Sequence, residues 1–158
     1  MYDSTEDTLA HIVAVRDLLD EVIGNLVARS TMHDLSKLAE PEKAMYDEFT
    51  PKLREMTYGS PEYKQALVDM GPALVHHYDH NSHHPEHHVN GIEGMSLLDL
   101  IEMLADWTAS ISRSPDGDLY RSIEINQTRF EYTDELATIL RSTAREMGWV
   151  KTSDVGRA

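Results

Sequence analysis

The chain has 158 residues, the size of one domain, with 14 basic against 28 acidic side chains and a formal net charge of −14. So acidic a protein is repelled by polyanions, which excludes long nucleic acids and anionic membrane surfaces as principal partners. Cysteine is absent, which excludes disulfides, thiolate metal sites and cysteine nucleophiles.

The composition, 41% hydrophobic and 27% charged, is that of an ordinary globular domain. No apolar run approaches the roughly 20 residues of a membrane span. The acidic start Met1-Tyr2-Asp3-Ser4-Thr5-Glu6-Asp7 is unlike the basic start of a secretory signal, so a cytoplasmic protein is expected.

The periodicity is helical nearly throughout. Ser4 or Thr5 can cap a first helix reaching about Ala28, apolar on most sides through Leu9, Ile12, Val13, Val15, Leu18, Leu19, Val22, Ile23 and Leu26. All-round apolarity predicts a buried, central helix. A short helix is expected over Thr31 to Leu38, and Glu40-Pro41-Glu42 starts another that Thr50-Pro51 should break or restart. Ser60-Pro61-Glu62 begins the next, interrupted by Gly71-Pro72 and resumed to Asn81. Residues 82–95 read as a loop. Ser96 caps a strong helix to about Ile111, with Asp99 as its reciprocal capping partner. After a turn at Ser114-Pro115-Asp116-Gly117, helices are expected over Asp118–Arg129 and Thr133–Met147, the last ending at Gly148. No strand pattern persists. The expectation is an all-α, compact single-domain bundle of about six to eight helices over residues 1–150, with a flexible tail at 151–158.

The histidines fall in three places: His11 on the first helix, His33 beside Asp34, and His76, His77, His80, His83, His84, His87 and His88 together. Taken alone, His11 reads as a core residue, since it shares a face with Val15, Leu18 and Val22. His33-Asp34 reads equally as a local pair, and the histidine-rich segment as a solvated or metal-scavenging tract. The late helix alters the balance. Asp99, Glu102 and Asp106 form one acidic stripe on an otherwise apolar helix. Asp106 sits among Leu104, Ala105 and Trp107, where a carboxylate is costly unless it is paired or bound to a metal. Imidazoles and carboxylates converging from separate helices suit a divalent ion.

This ordered set resembles the H…HD…D signature of the HD-domain metal-dependent phosphohydrolases. Met32-His33-Asp34-Leu35-Ser36-Lys37 is similar to the HDxxK form of the HD-GYP and related two-metal branches. His76-His77, the loop that follows and the helix through Asp106 keep the order of the HD-GYP stretch. The Gly-Tyr-Pro element is absent, with His83-His84-Pro85-Glu86-His87 in its place, so cyclic dinucleotide specificity is not implied. The loop, with Glu102-Met103-Leu104-Ala105-Asp106-Trp107, also looks like an uncharacterised small family common in phage genomes.

The resemblance implies that His11, His33, Asp34 and Asp106 hold one divalent metal, with Asp34 bridging to a second ion in two-metal members. For that second ion His77 is the first choice. It continues the apolar face of Leu67, Met70 and Leu74, while His76 and His80, four apart, form the competing pair. His83 and His84 would close over the site. One or two ions of Mn, Fe, Co, Ni, Zn or Mg are expected. Lys37 shares a helical face with His33 and Asp34 and would meet phosphate oxygens, and His80, His83 or His84 would protonate the leaving group. The expected partner is a small phosphorylated substrate, a nucleotide first, and a homo-oligomer is compatible with the sequence. A di-iron oxygenase of the same fold and a non-catalytic metal-binding or interaction module are the competing readings.

Overall fold

A computed structural model describes residues 2–57, 59–113 and 117–150. Among these residues there are six α-helices, three short 3-10 turns and no strand. The protein is all-α, as its periodicity predicts. It divides into two compact units, residues 1–33 and residues 34–158.

The first unit is one helix, α1 (Thr5–Met32), of 28 residues, about 42 Å long at the α-helical rise. It buries no residue. Leu9, Ile12, Leu18, Leu19, Ile23 and Val27 are each more than half exposed. The expected buried, central helix is therefore corrected. All-round apolarity specifies a helix here without specifying a buried face.

The second unit opens with a 3-10 turn (Leu35–Leu38) in place of the predicted helix over residues 31–38. Asp34 takes a left-handed conformation (φ 58°), which breaks the α-helical ladder between Met32 and Leu35. Helix α2 (Glu42–Arg54) begins after Pro41 and runs through Pro51. Pro51 lies in the last turn, where a missing N–H forfeits one hydrogen bond without splitting the helix.

Helix α3 (Pro61–His80) is capped by the Ser60 hydroxyl, which accepts from the Tyr63 N–H at 3.2 Å. It kinks at Gly71-Pro72, as predicted. Gly71 holds φ 41° and ψ −116°, a conformation that side chains disfavour. The kink re-aims the half of α3 that carries His76, His77 and His80.

The predicted loop contains two 3-10 turns, Pro85–His87 and Gly91–Gly94. A Cβ on Gly94 would lie 2.8 Å from the His88 Cβ, so the loop closes only because that position is glycine. Helix α4 (Leu97–Ile111) starts with the expected capping box between Ser96 and Asp99. Helices α5 (Leu119–Phe130) and α6 (Asp134–Glu146) begin on Asp118 and Thr133 caps. The expected turn at 114–117 falls largely outside the described residues, as does the tail 151–158.

Two apolar cores hold this unit. Phe49, Ala66 and Met70 join α2 to α3. Met103, Leu104, Leu119, Tyr120, Ile123, Tyr132, Ala137, Leu140 and Ala144 join α4, α5 and α6. The Tyr132 hydroxyl donates to the Ile123 carbonyl at 2.7 Å inside the second core, and burial raises its pKa well above the usual phenol value. In urea unfolding, Ile123→Ala is expected to cost about 2–5 kcal/mol through its cavity. Tyr132→Phe should cost about 1 kcal/mol through the lost hydrogen bond. Equal, small losses for both would contradict this core.

Candidate metal centre

The site is built within the second unit from four segments: the turn at Asp34–Lys37, the start of α2, the end of α3 with the histidine loop, and α4. Asp34 supplies its centre. Its left-handed backbone costs on the order of 1–3 kcal/mol, a strain that clusters at functional positions and that Asp tolerates better than most residues. Lys37 fixes it twice, donating its backbone N–H to the Asp34 carbonyl at 3.0 Å and its Nζ to Asp34 Oδ2 at 2.5 Å. The same ammonium lies 4.9 Å from the centre of the Tyr46 ring. Burial is the main reason that the Tyr46 hydroxyl is pushed far above its usual pKa, with the Glu42 and Asp34 charges adding to it.

His77 comes from the re-aimed end of α3 and is 1% exposed. Its Nδ1 lies 3.0 Å from Glu42 Oε2. Glu42 is wholly buried in the first turn of α2, where the helix dipole favours an anion. Burial pushes its carboxyl up. Hydrogen bonds from His76 (2.7 Å) and Ser36 (3.1 Å), with the neighbouring His77, more than offset this and hold its pKa below the usual value. An ionised carboxylate can only accept, so Nδ1 of His77 carries the proton and Nε2 presents a lone pair. That nitrogen lies 3.4 Å from Asp34 Oδ1 and 2.9 Å from His84 Nε2.

His83, also 1% exposed, repeats the pattern from the loop. Its Nδ1 faces Glu102 Oε1 at 3.2 Å, and its Nε2 faces Asp34 Oδ1 at 3.6 Å. The loop is pinned in place by side chains. Ser82 Oγ donates to Asp99 Oδ1 at 2.7 Å, Asn81 donates to the His77 carbonyl at 2.7 Å, and His87 and His88 reach the carbonyls of Tyr78 and Ser82, both at 2.9 Å.

One ligand atom from each of Asp34, His77, His83 and His84 lies within 4.8 Å of the other three. A proton on His84 Nε2 bridges the nitrogen pair, but the Asp34 contacts set acceptor against acceptor. Burial, with His83 and His77 beside it, pushes the His84 pKa down to about 3 against the charges of Asp106 and Asp34. Burial and the Lys37 cation push His77 down against Asp34 and Glu42. Neutral imidazoles around a carboxylate are the donor chemistry of a divalent metal. The two carboxylates behind His77 and His83 are the orienting partners that metal-bound histidines use. The residues present fit a divalent ion.

The predicted residues divide as follows. Asp34, His77, His83 and His84 converge. Lys37 joins them through Asp34. Asp106 is half-buried on α4, and its charge reaches His84. His76 does not join the cluster: it binds Glu42 from the outer side. His80 does not join it either, being exposed with its Nδ1 on the His76 carbonyl at 2.8 Å. His11 and His33 belong to the first unit, His11 exposed along α1 and His33 as its C-cap. Sequence reasoning missed Glu42, which looked like a helix start. It placed Glu102 on the acidic stripe without a role, although its spacing of four from Asp106 is the signal that could have found it.

These features define a helical protein whose buried His and Asp side chains can hold a metal ion. Residues 1–147 match the model of a family of unknown function, DUF5662, and the chain belongs to that family. No curated protein and no solved structure matches it.

Glu42→Gln should lower divalent-ion affinity about 10–100-fold in titration calorimetry. An amide nitrogen facing His77 Nδ1 would favour the tautomer whose Nε2 is protonated. Unchanged affinity would show that Glu42 does not orient His77. Stability of the ion-free protein should also depend on pH. Folded His77 and His84 titrate below the ordinary 6.5, so the unfolded chain binds more protons as pH falls below that value. Stability is therefore complete above 6.5 and is lost on acidification towards 3, and the lowered Glu42 acts in the same sense. Urea midpoints in chelator should fall over that window; a flat profile would contradict the burial of neutral imidazoles.

Proposed function

We propose that the protein is a cytoplasmic metal-dependent phosphohydrolase acting on a nucleotide or another small phosphoester. The observation that carries this reading is the approach of His77, His83 and His84 to Asp34 next to the Lys37 ammonium. Asp34, His77, His83 and His84 would hold the ion, with Glu42 and Glu102 orienting the first two imidazoles. When bound, a divalent ion supplies Lewis-acid activation of water and of a phosphoryl oxygen.

The chain's own residues do the rest. Lys37 places a cation beside the cluster, where it balances Asp34 and can receive a phosphate oxygen. Its side chain keeps 30% of its exposure, so a ligand can reach it. Asp106, whose charge reaches His84, supplies a carboxylate base beside the ion's ligands for proton transfer. The net charge of −14 disfavours a polyanionic duplex, whereas a single phosphoester meets the local positive charge of Lys37 and the ion. The resemblance of His33-Asp34 through Lys37 to the HDxxK element supports the same reaction class.

A second reading, a metal-binding module without turnover, is favoured by one observation. His77 and His83 are 1% exposed, a depth suited to a structural ion.

The test is phosphate release from a nucleotide panel with Mn, Co, Ni, Mg or Zn. Activity should vanish in Asp34→Asn and fall about 10²-fold in kcat for Lys37→Met, the usual loss for one placed charge donor. Silence of fully metallated protein across the panel would overturn the hydrolase and leave the structural ion.

A further inference from the structure

We infer that His76 and His80 form a second metal site, separate from the buried cluster, on the outer side of α3. Four residues apart on one helix, they share a face. Their rings stack with centroids 3.9 Å apart and planes 16° from parallel. Each Nδ1 is committed to an acceptor. His76 Nδ1 lies 2.7 Å from Glu42 Oε1, and His80 Nδ1 lies 2.8 Å from the His76 carbonyl oxygen. Both acceptors require a proton on Nδ1, so both Nε2 atoms present lone pairs. Nε2 is therefore the free donor of each ring, and because stacked rings aim their lone pairs in parallel, rotation of the exposed His80 side chain brings both onto one ion.

The pair is prepared as a ligand in two further ways. Glu42 stands behind His76 as a carboxylate stands behind a metal-bound histidine, fixing its ring and tautomer. Glu42 is shared, giving Oε2 to His77 and Oε1 to His76. The pair is also reachable. His80 is exposed and the His76 side chain keeps 32% of its exposure, so water can complete the coordination. Two imidazoles without a carboxylate ligand select nitrogen-seeking ions such as Ni(II), Cu(II) or Zn(II) over Mg(II) and Mn(II), which prefer oxygen. The inference concerns ion binding alone and does not depend on what the buried cluster catalyses.

The test is calorimetric titration of the full chain with Ni(II), for wild type, His80→Ala, Asp34→Asn and His87→Ala. Wild type should bind one equivalent more than His80→Ala. Asp34→Asn should keep that equivalent while losing the buried one, and His87→Ala should lose none. Mg(II) titrations of wild type and His80→Ala should coincide. His80 is exposed and alanine is the better helix former, so His80→Ala keeps the fold, which circular dichroism checks. Equal Ni(II) uptake by wild type and His80→Ala overturns the site. Loss of the same equivalent in His87→Ala also overturns it, because the ion would then be held by exposed histidines in general.

Discussion

The second unit is organised around the approach of lone-pair atoms to one carboxylate oxygen. His77 Nε2 and His83 Nε2 come within 3.4 and 3.6 Å of Asp34 Oδ1. Such an arrangement repels itself unless positive charge enters it, and the low dielectric around two buried imidazoles magnifies that repulsion. Lys37 answers from one side through Oδ2. On the other side the donor set has the chemistry to hold a divalent ion, which would supply the remaining positive charge.

The fold's irregularities serve this arrangement. The left-handed Asp34 opens the 3-10 turn that carries Lys37. The Gly71-Pro72 kink redirects the end of α3, and Gly94 permits the loop to fold onto His88. Behind the cluster, Glu42 and Glu102 fix which imidazole edge faces inward, at the cost of burying charge. Glu42 offsets that cost by sitting at a helix N-terminus and accepting three hydrogen bonds. It also links the buried cluster to the histidine pair on the outer side of α3, so one carboxylate orders imidazoles on both sides.

Local signals carried much of this. Ser96 and Asp99 announce the α4 capping box, Gly71-Pro72 announces the kink, and the face shared by Leu67, Met70, Leu74 and His77 turns that histidine inward. Each depends on neighbours within a few turns. Glu42 was illegible because its histidine partners lie 34 and 35 residues away, and nothing in its own surroundings separates a buried carboxylate from a helix-start signal. His80 misled in the opposite way. Its type and spacing suit the buried cluster, but the helix carbonyl of His76 takes its Nδ1 and its ring stays at the surface, outside that cluster. The all-round apolar α1 shows the same limit, since periodicity gives the helix but not the surface that would cover it.

Whether Asp34, His77 and His83 hold an ion is read from anomalous scattering by crystals grown at neutral pH with excess Mn(II) or Zn(II). An anomalous peak bonded to Asp34 Oδ1 and to the Nε2 atoms of His77 and His83 is expected. Crystals in which these three atoms keep their places around water or a shared proton, with no peak between them despite the added ion, would contradict it.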